Sequence, residues 1–141
     1  MGVKIMRVHK SLAVTLCVSI SAMFAPARAA DDFAFIAGTY ALDAGDCKVA
    51  ATGKPFSKEL VGALSQEVLM PQGITSPREV HCKFRSAAKS ESGWTVKADC
   101  EEMGAAEPYE LAVTAGADGS LAFSNEDVWG PEPQVFKPCP K

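Results

Sequence analysis

Cys82-Lys-Phe-Arg-Ser-Ala-Ala-Lys-Ser-Glu-Ser-Gly-Trp-Thr-Val-Lys-Ala-Asp-Cys100 is the stretch whose reading decides the fold. Val80, Cys82, Phe84 and Ser86 share one strand face, and Glu79, His81, Lys83 and Arg85 share the other. On the return, Trp94, Val96, Ala98 and Cys100 alternate with Thr95, Lys97, Asp99 and Glu101. A period of two with one apolar face marks a half-buried antiparallel strand. Ser90 to Gly93 supplies the turn, with Gly93 free to adopt a left-handed conformation. Two registers fit. A three-residue loop, Glu91 to Gly93, sets Cys82 diagonal to Cys100. A five-residue connection, Lys89 to Gly93, sets the two cysteines directly opposite. A disulfide needs Cβ atoms roughly 3.5–4.5 Å apart, which favours the second.

Working outward, a second hairpin is expected over 109–124. Leu111 and Val113 share parity with Leu121 and Phe123, and a loop of Ala117-Asp118-Gly119 pairs Val113 with Phe123. A two-residue turn there would send one apolar set to solvent. Between the hairpins, 101–108 reads as a polar connection. Upstream, a helix is expected over 58–69. Ser57 is its N-cap and Leu60, Val61, Leu64, Val68 and Leu69 form its apolar stripe. Pro71 ends it. Gly38 to Asp43 and Gln134 to Lys137 read as short strands, residues 48–56 as loop, and Asp31 to Ala37 as a lead-in. The fold expected is α+β, with about five antiparallel strands and the helix packed on one face; the alternative is a small open β-barrel with the helix plugging one end.

The chain of 141 residues begins with an address. Lys4, Arg7 and Lys10 precede an apolar run from Ser11 to Phe24, and Ala27-Arg28-Ala29 is a small-x-small site. Residues 1–29 therefore read as a secretory signal peptide and 30–141 as one domain. Those 29 residues carry four basic and no acidic side chains, which leaves ten basic against 17 acidic, a net charge of −7. An acidic domain points away from nucleic acid and anionic membranes. The expected location is the periplasm, or the medium if the host lacks an outer membrane. Four cysteines remain in the domain, and an even number in an exported chain reads as disulfides. Cys82–Cys100 follows from the hairpin. Cys47–Cys139 then ties the start of the domain to its end.

Gly38-Thr-Tyr-Ala-Leu-Asp-Ala-Gly-Asp-Cys47, the Cys82 to Cys100 hairpin and the ending Val135-Phe-Lys-Pro-Cys-Pro140 resemble a group of small, uncharacterised, four-cysteine exported bacterial proteins. The resemblance implies an exported compartment and a two-disulfide plan. In size and compartment the chain is also similar to periplasmic lysozyme inhibitors.

No catalytic constellation, metal module or cofactor motif is legible. His81, the single histidine after position 29, sits on the polar face near Glu101. The pair reads as a general base with its carboxylate or as an ordinary cross-strand contact. Lys83 opposite Asp99 reads as a surface ion pair. The loop Asn125 to Pro133 is the candidate partner-binding element, through Glu126, Asp127, Trp129 and Glu132. Tryptophan among charges on a proline-stiffened loop suits a binding hot spot, whereas a tryptophan folded back would cover the end of the core. The function expected is a non-enzymatic binding or inhibitor module for a basic periplasmic or extracellular protein. Alternatives are a small-ligand binder with a pocket near Leu64, Val68 and Phe84, and an enzyme using His81.

Overall fold

The structure is a computed structural model that describes residues 32–78 and 80–141. The signal-peptide segment and Glu79 lie outside the described residues. Eight antiparallel strands close into one barrel in sequence order, β1 pairing β8. They are β1 Tyr40–Ala41, β2 Val68–Met70, β3 Gly73–Thr75, β4 Val80–Ser90, β5 Gly93–Glu102, β6 Ala105–Ala115, β7 Leu121–Ser124 and β8 Gln134–Pro138. Three short helices sit between them: α1 Asp46–Ala50, α2 Lys58–Ala63 and α3 Glu126–Trp129. The α+β sheet with one packed helix is thus corrected to a mostly β molecule, closer to the barrel alternative but closed. Closure removes the strand edges that an open sheet leaves unpaired.

Alternation holds as read except at Ser86, which a bulge turns to the outer face. Cys82 lies opposite Cys100 and Val113 opposite Phe123. Cys82, Val96, Ala98, Cys100, Leu111, Val113, Leu121, Phe123 and Phe136 face inward and are buried. Cys82–Cys100 and Cys47–Cys139 are the two disulfides. The first spans two strands inside the barrel. The second fastens α1 to the residue after β8.

The first hairpin reaches its register by a different route. Ser90 pairs with Gly93, so the turn is the two residues Glu91 and Ser92. A bulge between Phe84 and Ser86 then shifts the ladder so that the cysteines still meet. Beyond it the parity inverts: Ser86 pairs with exposed Lys97, and Ala87 turns to the core. Gly93 is obligatory, because a Cβ at its φ of 156° would collide with the Val113 carbonyl of β6.

The expected helix over 58–69 is half right. Ser57 caps it as read, its Oγ accepting from the Leu60 amide at 3.1 Å. It stops at Ala63, and 68–70 is strand. Asp46, 3% exposed, is the cause. Its carboxylate accepts from Ser65 N (2.9 Å), Gln66 N (2.8 Å) and Ser65 Oγ (2.9 Å). Those bonds hold residues 65 and 66 in a turn and aim Val68 at β1. Residues 46–50 are α1, although 48–56 read as loop. α1 and α2 lie outside the barrel, where Leu60, Leu64, Val68, Met70, Ala41 and Ala50 form a second apolar cluster. α2 therefore does not plug the end.

The lead-in does that instead. Phe33 stacks on Phe84 with ring centroids 5.5 Å apart, Phe35 stacks on Trp94 at 4.3 Å, and Ile36 is 2% exposed. Long strands β4, β5 and β6 project past their short neighbours, and this segment packs against the apolar face they would expose.

Residues 101–108 are not a connection. Met103 and Gly104, at φ 49° and 85°, form a tight turn between β5 and β6, and Pro108 lies within the strand. Positive φ at both central residues is the hairpin geometry that Asn and Gly favour. Met103 is 86% exposed. A non-glycine residue held there costs about 1–2 kcal/mol. Met103→Gly is expected to raise the unfolding free energy by about 1 kcal/mol in urea denaturation.

Candidate functional site

The candidate site is the barrel mouth opposite the aromatic plug. Inward-facing positions near the ends of β4, β5 and β6 are no longer uniformly apolar there. They carry Val80, Cys100, Glu102, Ala105, Glu107 and Tyr109, and α3 completes the ring with Asp127 and Val128. The cavity, open to solvent on one side, is about 130 Å³. Its carboxylates belong to exposed residues, so solvent reaches them.

Two features place α3 on the rim. Asn125 caps it, Oδ1 accepting from Asp127 N at 2.9 Å and Val128 N at 3.1 Å. The Asn125 Nδ2 donates to the Glu110 carbonyl at 3.0 Å and ties the helix to β6. Gly130, at φ 81°, turns the chain away toward β8.

The electrostatics are one-sided. The Tyr109 hydroxyl donates to Glu107 Oε2 at 3.3 Å. Loss of hydration raises the Tyr109 pKa, and the negative charges of Glu107, Asp127 and Glu102 push it the same way. The phenol therefore stays neutral and donates. No lysine or arginine is among the described residues lining the cavity. Among the described residues, no three His, Cys, Asp or Glu side chains gather to hold a metal ion. The carboxylates ring an opening rather than converge on one point. Such an arrangement has the charge that would suit a cationic group, with a neutral hydroxyl beside it.

Of the four residues singled out in the 125–133 loop, Asp127 lines the mouth. Glu126 and Glu132 are exposed and do not line it. Trp129 is half-buried and packs against the barrel core, the folded-back reading rather than the exposed one. Sequence reading missed Glu102, Glu107 and Tyr109. A two-residue turn at Met103-Gly104 pairs Glu102 with Ala105 and flips the parity, which puts Glu102, Glu107 and Tyr109 on the inner face, but Pro108 and the density of acids gave that stretch the look of a loop.

Two outer-face grooves are larger and chemically quieter. One, about 700 Å³, runs past Arg85, Lys97, Asp99, Tyr109 and Glu110. Its charges pair off, Arg85 with Asp99 and Lys97 with Glu110. Asp99 thus takes Arg85 rather than Lys83, although Lys83 is its register partner. The other groove, about 440 Å³, holds His81, Phe56, Lys58, Val61, Lys83 and Glu101. His81 is opposite Glu101 as expected. Its Nδ1, however, accepts from the Ser76 amide at 3.1 Å. The neutral ring then carries its proton on Nε2, so neither nitrogen is free to take a proton from a substrate. Leu64 and Val68 pack outside the barrel and Phe84 against the interior, so these three do not line a common pocket.

Fold and mouth together define a small disulfide-bridged antiparallel barrel with one acidic opening. No protein-family model matches the chain, and no curated protein or solved structure matches it. Among the described residues no helix is long and apolar enough to cross a membrane, and the disulfides fit an oxidising, exported compartment.

Proposed function

We propose that the protein is a non-enzymatic periplasmic binding module, or a secreted one in a host without an outer membrane, whose acidic mouth receives a lysine or arginine side chain of a basic protein partner. The observation that carries this reading is that Glu102, Glu107 and Asp127 line one cavity around the Tyr109 hydroxyl, with no basic side chain among the described residues lining it. Glu126 and Glu132 extend the negative surface. The cavity, about 130 Å³, suits the head of one side chain. It is well below the roughly 300–1,000 Å³ of a small-molecule site. The net charge of −7 steers a basic partner toward the domain. The likeness to periplasmic lysozyme inhibitors in size and compartment is compatible with such a partner. The enzyme alternative is weaker because the His81 lone pair already holds a backbone amide.

Capture from host envelope extract at low and high salt tests the proposal. Wild type is expected to retain a basic partner that Glu102→Gln/Glu107→Gln/Asp127→Asn loses by at least tenfold. Neutralising several contacting charges weakens such binding and flattens its salt dependence. Equal retention by the triple variant, or no salt-sensitive partner at all, refutes it. Trp129→Ala is no substitute, because it also disturbs core packing.

A further inference from the structure

The geometry points to His81 as a pH-sensitive latch on the β3–β4 turn: neutral, it holds the Ser76 amide through Nδ1, and protonated, it releases that amide and with it the Val80 edge of the acidic mouth. The latch rests on the turn alone; its effect on binding rests on the mouth reading above.

Ser76 directly follows β3 and is 2% exposed, so its amide needs a partner inside the fold. That partner is His81 Nδ1 at 3.1 Å. The Ser76 hydroxyl accepts from Arg78 N at 3.2 Å and donates to Glu67 Oε1 at 3.5 Å. The ring thus anchors a turn that also touches the run into β2. An imidazolium carries protons on both nitrogens and accepts from neither. A protonated Nδ1 facing the Ser76 N–H sets donor against donor, and a ring flip offers a carbon instead. Either way the amide loses its bond.

The surroundings resist the charge but do not forbid it. Burial lowers the His81 pKa most; Lys83 on β4 adds to that, and Glu101 on β5 opposes it. Lys58 of α2 lines the same groove, the Phe56 ring meets the imidazole edge-on with centroids 6.4 Å apart, and the Glu67 carboxylate faces the turn through the Ser76 hydroxyl. Because the folded value is depressed, the contribution of the latch is complete above about pH 6.5 and is lost as pH falls below it, where the unfolded chain binds the proton more readily. Val80 precedes His81 and lines the mouth, and Glu102 is its cross-strand partner. Freeing the turn therefore loosens one wall of the site.

Amide hydrogen exchange of the disulfide-intact domain at pH 7.5 and pH 5.5, corrected for intrinsic rates, tests the latch. The Ser76 amide of wild type is expected to lose several-fold, up to about tenfold, of its protection at the lower pH, the ceiling for one proton taken up by a ring of ordinary pKa once released. In His81→Asn the Oδ1 takes the place of Nδ1 and does not titrate, so protection is expected to persist at both values. Unchanged protection in wild type, or the same loss in His81→Asn, overturns the latch. His81→Phe is expected to leave the amide exposed at both values; if it does not fold, the asparagine variant decides. Affinity for the captured partner, measured across the same range, is expected to drop with the turn in wild type and to drop less in His81→Asn. A Ser76 step with affinity falling equally in both proteins overturns the link to the mouth and leaves the latch standing.

Discussion

Replacing Cys47 and Cys139 together by alanine is expected to lower the unfolding free energy by about 4.6 kcal/mol, on the loop-entropy estimate for a separation of 92 residues. That is a large share of the roughly 5–15 kcal/mol that holds a domain of this size. The structural reason is the weakness of the closing seam. β1 contributes two residues, Tyr40 and Ala41, to its pairing with both β2 and β8. So short a strand does not close a barrel by its ladder bonds alone. The bridge holds α1, which follows β1, against the end of β8, and the Cys139 amide donates to the Thr39 carbonyl at 2.9 Å beside it. Urea denaturation checks the loss. A change below about 1 kcal/mol means the seam is held elsewhere. The two bridges also differ in access. Cys47 and Cys139 are half-buried, whereas Cys82 is 0% and Cys100 3% exposed. Mild reductant followed by thiol labelling is expected to mark Cys47 and Cys139 first. Simultaneous labelling of all four would contradict a bridge sealed inside the barrel.

Deleting residues 30–36 is expected to cost on the order of 5 kcal/mol. Full burial of a phenylalanine or isoleucine side chain contributes about 1.5–3 kcal/mol, and the segment brings Phe33, Phe35 and Ile36 onto the barrel, the first two half-buried. Trp94 would lose its stacking partner Phe35, and Phe84 would lose Phe33 while keeping Phe123. Hydrophobic-dye binding is expected to rise, and Trp94 emission to shift toward that of a hydrated indole. An unchanged melting temperature would show that the plug is dispensable. The double variant Phe33→Ala/Phe35→Ala is expected to fall between the deletion and wild type, because Ile36 remains. It separates the aromatic stacks from the rest of the segment.

Much of this was legible in the chain because it is local. Cys82 and Cys100 share an inward parity on adjacent strands, and a hairpin leaves few ways to bring them together. Val113 and Phe123 follow from the same reasoning, and the loop between them is closed as its residues suggest, with the Gly116 amide donating to the Ser120 carbonyl at 2.8 Å. Ser57 caps α2 because a hydroxyl before a helix has one obvious task. The mouth was half legible. Asp127 stood out beside a tryptophan and two prolines, whereas Glu102 and Glu107 were hidden in a stretch whose proline argued for a loop. Pro108 removes a donor from its strand, and the tight turn at Met103-Gly104 starts that strand earlier than composition suggests.

What the chain determined by itself was pairing and parity: which cysteines join, which side chains share a face, and where a helix begins. These depend on neighbours within a few residues or across one turn. Tertiary structure alone decided where α2 ends, that the strands close, and that an unremarkable lead-in seals one end. Each of those depends on partners distant in sequence. The Asp46 carboxylate captures Ser65 and Gln66 from 19 and 20 residues away. β1 meets β8 from opposite ends of the domain. Phe35 finds Trp94 only once the barrel has given that ring a surface to lie on. A periodicity read along the chain carries no term for contacts of that range, and the hydrophobic stripe from Leu60 to Leu69 fits a helix or a helix followed by a strand until the fold chooses.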